Sequence, residues 1–400
     1  MRILFVTHRF PFPPRDGARV RAFHSLRHLA RRHEVTVLAP VRSEEEAKAG
    51  AGLAEHCHSH RSEQLSRNRA LAQMVLCLPT RKPSSLGYFH SASLARWARA
   101  KLAAGAFDFA FVHCSSVAHY VLGQNSVPKV LDFVDMDSQK WLDYAPVKPW
   151  PLSTGYGLEG RKLQAWERHL AEHFDLCTVA TRREAQSARD IGITTPVEVF
   201  PNGVDLEFFA PGSESYEEDH ICFVGRMDYF PNEQCMVTFC AEVLPRIRQV
   251  RPAARLTIVG ANPTATVRKL AELDGVTVTG TVDDVRLYVH RAAVAVAPLF
   301  IARGTQNKIL EAMALGTPVV ASDLAAAGVD AVPGEHLLAA GSSEGLAGAV
   351  TMLLSNPSER ARLAEAGRLR VATCHSWESA MARLDGILAD HIAGIRQQAA

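Results

Sequence analysis

Two side chains three residues apart, Lys308 and Glu311, carry the clearest chemistry in this chain of 400 residues. On a helix, residues at that spacing share a face. A lysine in the first helical turn opposes the helix dipole, so an anionic ligand explains its charge better than helix stability does. A carboxylate one turn deeper can accept from two sugar hydroxyls. Together they make a nucleotide-shaped pair of contacts, phosphate on the cation and ribose on the carboxylate. The competing reading is a solvated ion pair on an ordinary helix, worth about 0.2–0.5 kcal/mol.

The flanking residues predict how the pair is held. Residues 294–299 and 318–322 are short apolar runs that read as buried strands. Between them Gly304 breaks the chain, and Ile309, Leu310, Ala312, Met313 and Leu315 recur at helical spacing until Gly316 and Pro318 stop the helix. In such a strand, loop, helix, strand unit the loop opens onto the helix N-terminus, where free N–H groups favour phosphate. Gly304, Thr305, Gln306, Asn307 and Lys308 are therefore the expected phosphate-binding stretch.

Residues 311–320, EAMALGTPVV, resemble the signature helix of the retaining, nucleotide-sugar-dependent glycosyltransferases of the GT-B fold, family 4. The family pattern is Glu, seven residues, Glu, then Ala-Met-Ala-x-Gly-x-Pro-Val-Val. The position eight before Glu311 is Arg303, where the family has the acid that faces the donor sugar. The resemblance implies an α/β, GT-B fold of two Rossmann-like, doubly wound domains facing a cleft, with a C-terminal helix crossing back to the first. The expected boundaries are 1–211 for an acceptor domain, 212–219 for a polar, acidic linker, 220–375 for a donor domain and 376–400 for the helix.

Composition fits two domains. With 47% hydrophobic residues the chain can bury a large core. A formal charge of +2 and a pI near 8.1 give no reason to invoke nucleic acid. The eight cysteines lack CxxC spacing and lie mostly in apolar runs, as buried, reduced thiols do. No apolar run approaches the ~18 residues of a membrane span, and the opening ILFV is too short for a signal core. A cytoplasmic location is expected, with peripheral contact at the cytoplasmic face of the inner membrane.

The start reads as a strand over 3–7, a loop with Pro11, Pro13, Pro14 and Gly17, a helix over 18–32 and a strand over 35–39. Arg9, Arg15, Arg19, Arg21, Arg27, Arg31 and Arg32 accompany a single acid, Asp16. This basic face is either simply solvated or a site for anionic headgroups or phosphate. The loop resembles the Pro-rich, Gly-containing loop of the same glycosyltransferases, which would make Gly17 and Arg19 acceptor-side residues of the cleft. His56, Cys57, His58 and His60 are the densest run of metal-ligand types, but no second cluster at zinc spacing follows, so an exposed strand edge or loop is preferred. Residues 79–88 are a turn-rich connection of no readable role.

An apolar strand over 107–112 delivers His113 to the loop after it, where open α/β sheets place ligands. The resemblance makes His113 the candidate beside the acceptor hydroxyl, with His119 competing and a plain polar loop residue as the alternative. Strand 129–134 runs into Asp135 and Asp137, a DxD pattern that could chelate Mg²⁺ or Mn²⁺ as in GT-A enzymes. A single-sheet GT-A domain leaves the downstream half unexplained, so both are read as acceptor contacts or as turn and cap residues. Further on come a long helix over 157–173, a strand over 176–180, a helix from about Arg183 and a strand over 196–200. Pro201-Asn202-Gly203-Val204-Asp205 with Phe209-Ala210-Pro211 resembles the motif ending the family's first domain, and Asn-Gly suits a turn of positive φ.

In the second half, strand 221–224 ends in Gly225-Arg226, a guanidinium suited to a forked grip on diphosphate. Where the family has Lys-Gly this chain has Pro231-Asn232, so Lys308 is expected to supply the missing cation and, with Arg226, give the diphosphate two positive partners, with Asn232 counted among the donor-binding residues. Strands over 255–260 and 276–279 follow, and the family's backbone usually reads the base at the position of Gly280, Thr281 and Val282. Helices over 343–354, 357–367 and 376–393 close the chain, the last with Trp377, Met381, Leu384 and Leu388 as its docking stripe.

VDMDSQKW, GRMDYFPNE and GTQNKILEAMA together resemble the sugar transferases of exosortase (PEP-CTERM) exopolysaccharide systems. The resemblance implies transfer from a UDP- or GDP-linked sugar to a lipid-linked or growing glycan, with retention. His113, Arg226 and Lys308 are the catalytic residues it points to, and no metal or other cofactor is expected, since fixed cations can stabilise the leaving diphosphate. A sugar-nucleotide-binding protein without turnover and a GT-B epimerase or hydrolase are the alternatives. A dehydrogenase is disfavoured because no strand leads into G-x-G-x-x-G.

Overall fold

The computed structural model describes residues 1–14, 17–212 and 215–392. Apolar runs such as ILFV, FAFV and AAVAVA form strands buried on both faces, the pattern of parallel sheets covered by helices. The first sheet contains β1 (Arg2–Thr7), β2 (Glu34–Val41), β3 (Ser59–Gln64), β4 (Phe109–His113), β5 (Lys129–Val134), β6 (Leu176–Val179) and β7 (Val197–Val199). Their order is β3-β2-β1-β4-β5-β6-β7, all parallel. The second contains β8 (Glu217–Val224), β9 (Arg255–Val259), β10 (Val276–Val278), β11 (Ala292–Ala297), β12 (Val319–Ser322) and β13 (Leu338–Ala340), in the parallel order β10-β9-β8-β11-β12-β13. This is the expected α/β architecture of two doubly wound, Rossmann-like domains.

The chain divides into two compact units, 1–201 with 381–400, and 202–380. Each has its own apolar core. The first unit ends ten residues earlier than the expected position 211, because Asn202, Val204 and Phe209 are tied to the second. Asn202 Nδ2 donates to Asn307 Oδ1 at 3.2 Å, Val204 bridges Ser376, and Phe209 packs on the second core. The expected linker 212–219 is partly strand, since β8 starts at Glu217, and its positions 213–214 lie outside the described residues. The last helix, Trp377–His391, belongs to the first unit only from Met381, where Met381, Leu384 and Leu388 are buried. Position 393, where that helix was expected to end, is outside the described residues.

Order reversals fix where ligands belong. In the first sheet successive strands diverge between β1 and β4, and in the second between β8 and β11. Carboxyl ends of strands at such switch points are the ligand crevices of open α/β sheets. Those ends carry His8 and His113 in the first unit, and Gly225-Arg226 and the loop after Ala297 in the second.

Candidate functional site

The helix carrying the Lys308 and Glu311 pair spans Asn307–Ala314 and follows the loop that leaves β11. Gly304 turns that loop with φ of 61°, a left-handed value that favours glycine. Gln306 sits at the N-cap without capping, its Nε2 donating instead to the Arg303 carbonyl at 3.0 Å. The buried Thr305 hydroxyl has no partner among the described residues. The helix N-terminus therefore keeps the donors and the positive end that an anion would use.

Lys308 Nζ donates to Asn232 Oδ1 at 2.7 Å and lies 4.3 Å from the centre of the Phe223 ring. Asn232 is oriented in turn, its Nδ2 donating to the Arg226 carbonyl at 2.8 Å. A Cβ on Gly225 would come within 3.2 Å of Nζ, and one on Gly260 within 1.7 Å of the Gly225 carbonyl oxygen. Glycine at both positions lets three backbone segments and an ammonium share the carboxyl ends of β8 and β9. Asn232, expected only as a donor-side residue, thus holds the ammonium directly.

Electrostatics distinguish this pair from a surface salt bridge. Burial lowers Lys308 to about 8 and raises Glu311 to about 7, with their mutual attraction opposing both shifts. Among the described residues they make no direct ion pair within 4.0 Å, and they line one small, mostly apolar cavity with Phe209, Val224, Val285 and Val289. A charge held this way is poised for an incoming partner.

Arg226, also expected to grip diphosphate, is 61% exposed, and its fork closes on Asp228 at 3.1 and 2.7 Å. Asp228 is held below the ordinary carboxylate range by that contact. Val282 is partly buried against the second core in the bend after β10. Gly203 does not have the positive φ its sequence suggests. Its backbone instead passes so close to Trp377 that a Cβ would meet that residue's backbone nitrogen at 2.7 Å.

In the first unit His113 is the last residue of β4 rather than a loop residue, and it is buried. Register sets Thr7, His113 and Asp132 side by side across β1, β4 and β5. His113 Nδ1–H donates to Asp132 Oδ2 at 3.0 Å, which leaves Nε2 as the ring nitrogen not engaged by that carboxylate. Asp132 also receives Arg21 through Nε at 2.8 Å and Nη2 at 2.9 Å, and Thr178 Oγ1 at 2.9 Å. These contacts keep its carboxylate far below its ordinary range despite burial.

Arg21 therefore corrects the expected basic face. It is buried, donates to the Phe200 carbonyl at 2.7 Å and covers that ring. Arg19 pairs with Glu46, and His28 with Asp385 at 2.8 Å, so much of this helix face, Gly17–Ala30, meets protein rather than lipid. Gly17 is exposed at its start. Asp132 was legible only as an acid inside an apolar strand, which demands a partner that sequence cannot name. His8 went unnoticed for lack of any motif. Its ring stacks 5.8 Å from that of His113, burial holds it neutral, and its buried Nδ1 has no partner among the described residues.

His119 is buried beside His90, the rings sharing one hydrogen bond of 3.0 Å, and burial lowers it to about 3. Asp135 and Asp137 do not lie on an extended loop. Val134 adopts φ of 66°, Asp135 occupies the turn, and Asp137 begins the helix Asp137–Tyr144. Burial raises both, Asp135 to about 7, with Glu184 and Asp137 adding repulsion at Asp135. The segment around His56 lies partly on β3, an exposed edge strand, and forms no metal-ligand group among the described residues. The turn-rich stretch 79–88 includes a short helix, Ser84–Tyr88, whose first N–H groups donate to Glu159.

Two doubly wound parallel sheets of this order, with uncapped helix and glycine-lined strand ends in the second, make the GT-B fold. Solved structures agree: sucrose-phosphate synthase from Thermosynechococcus elongatus superposes with a TM-score of 0.70 over 98% of both chains at 18% identity. Anabaena HepE, solved in complex with UDP and glucose, gives 0.69 over 98% of this chain and 100% of its own at 14% identity.

Residues 15–208 match the family Glycosyltransferase Family 4, and residues 218–356 match Glycosyl transferases group 1. The chain thus has the fold and the two-part domain composition of a GT-B glycosyltransferase. Among curated proteins it is similar to D-inositol 3-phosphate glycosyltransferase of Segniliparus rotundus, 30% identical over 63% of this chain and 60% of that one. It is also similar to phosphatidyl-myo-inositol mannosyltransferase of Mycobacterium leprae, 31% identical over 51% and 55% of the two chains. The matched regions span less than two thirds of these relatives' own length.

Proposed function

We infer that the protein is a retaining hexosyltransferase that takes its sugar from a nucleotide-diphosphate donor bound by the second unit. The observation that carries this reading is the Lys308 ammonium held by Asn232 beside Gly225, one helical turn from Glu311. Two relatives named for glycosyl transfer and a fold neighbour solved with UDP and glucose support it.

In this reading the bond between the anomeric carbon and the diphosphate breaks, a bond to an acceptor hydroxyl forms on the same face, and the hydroxyl proton leaves with the nucleotide. Lys308, the free N–H groups at Asn307–Ala314 and Arg226, once it leaves Asp228, stabilise the charge gathering on the diphosphate. No divalent metal or other cofactor is needed for that task. Glu311 accepts from the ribose hydroxyls, and the bend at Val282 faces the base. On the first unit, His113 offers Nε2 to a hydroxyl, and Asp135, Asp137, Gly17 and Arg19 lie on the acceptor side. A lipid-linked or growing glycan in bacterial exopolysaccharide synthesis, with the protein in the cytoplasm and touching the inner membrane, is the setting the sequence resemblance supports. Arg303 in place of an acid favours a second reading, a sugar-nucleotide-binding protein without turnover.

Calorimetry with UDP, GDP, ADP and their sugar conjugates in EDTA tests the reading. One nucleotide should bind independently of metal and lose affinity in Glu311→Gln. Binding that requires Mg²⁺ or Mn²⁺ would overturn the metal-free donor site. Tight binding with no transfer of labelled sugar to any acceptor and no consumption of donor would favour the second reading.

A further inference from the structure

The helix Arg67–Cys77 buries a single residue, Ala70. Leu71, Val75, Leu76 and Leu78 stand out from it and its C-cap, Leu76 at 71% exposure. Helices of water-facing domains turn such residues inward, and a contiguous apolar patch left outside marks an interaction surface. The patch continues onto a second element. Lys162 of the helix Leu152–Ala171 donates to the Cys77 and Leu78 carbonyls at 3.2 and 2.8 Å, and Glu159 receives the N–H groups of Ser84 and Ser85. Leu158, one turn before Lys162, is exposed, as are Leu152 and, at 81%, Trp150.

Charge selects the occupant. No acidic residue occurs between Glu63 and Asp108, while Arg67, Arg69, Arg81 and Lys82 are all exposed. The helix Arg67–Cys77 packs against the short helix Ser84–Tyr88, which keeps the two ends of this segment together. Exposed leucines and a tryptophan among these cations, with the neighbouring Glu159 taken up by the Ser84 and Ser85 N–H groups, match the interface of an anionic bilayer, where indole rings sit at headgroup depth and lysines or arginines meet phosphate. We propose that this face of the first unit, helix Arg67–Cys77 with the start of helix Leu152–Ala171, lies on an anionic phospholipid surface. It deepens the functional reading, on whose lipid-linked acceptor its purpose rests. It also moves the lipid contact away from Gly17–Ala30, much of whose basic face is engaged internally.

The test is co-sedimentation of the full chain with phosphatidylcholine vesicles, with and without about one third phosphatidylglycerol. Binding should need the anionic lipid and weaken with salt. Arg81→Glu with Lys82→Glu should weaken it by about fivefold for each cation removed, and Val75→Glu with Leu76→Glu by at least about tenfold. Thermal melts and UDP or GDP titrations of the same variants should be unchanged. Equal binding by variants and wild type, or none to anionic vesicles at low salt, would overturn the assignment. So would self-association abolished by Leu76→Glu, which would make the occupant a second copy. Absent vesicle binding by the wild-type chain with intact nucleotide binding refutes this surface alone, whereas wild-type vesicle binding without nucleotide binding refutes the donor site.

Discussion

Replacing Lys308 by methionine tests the donor site most directly, because the substitution keeps the apolar stem over Phe223 and removes only the charge. A hydrogen bond from a charged group contributes about 1.5–3 kcal/mol, so UDP or GDP should bind roughly 10- to 150-fold more weakly. Uridine or guanosine, lacking phosphate, should bind the two proteins alike. The free protein should not suffer. Burial lowers the lysine from 10.5 to about 8, so between those values the unfolded chain holds a proton that the folded chain has released. Wild-type stability therefore rises with pH across that window, and the methionine variant loses the rise. Binding runs oppositely: a bound diphosphate retains the proton, so wild-type affinity falls as pH climbs above about 8 while that of the variant stays flatter. Calorimetry across the window, paired with denaturation of the free proteins, reads both effects. Unchanged diphosphate affinity in Lys308→Met, or an identical pH dependence in the two proteins, would show that the ammonium faces no phosphate.

Other substitutions probe neighbouring parts. Glu311→Gln should cost the nucleotide about tenfold in affinity and shrink the preference for ribo- over deoxyribonucleotides. Since burial raises Glu311 to about 7, its folded form binds the extra proton between 4.5 and about 7, wild-type stability falls with rising pH there, and the glutamine variant should not show that fall. Asp132→Ala strands a buried guanidinium and should destabilise the first unit by about 3–5 kcal/mol in urea denaturation. Wild-type Asp132, lowered in the fold, contributes stability present above about pH 4 and lost on further acidification. Gly260→Ala drives a methyl against the Gly225 carbonyl at a φ of 150° and should lower the unfolding midpoint of the second unit, with a cost of at least about 1–3 kcal/mol.

Sequence by itself determined most of the strands and the helix that carries Lys308 and Glu311. Apolar runs, glycine breaks and helical periodicity from Ala292 to Ser322 are local signals, and the observed elements differ from their expected bounds by one or two residues. The same locality let Lys308 and Glu311 be paired before any fold was known, because three residues of helix suffice to align them. Tertiary structure decided the partners. Asn232 meets Lys308 across 76 residues, Arg21 meets Asp132 across 111, and His8 stacks on His113 only because β1 and β4 are neighbours. An arginine on a helix reads as solvated whether it faces water or a buried carboxylate, since the side chain is the same and only the fold supplies the counter-charge. Gly203, likewise, announces a turn in sequence and proves to clear the backbone of Trp377, a steric demand set by a segment 174 residues away. Burial and long-range contact, which together set the pKa of a group and its choice of partner, are properties of packing that no local pattern encodes.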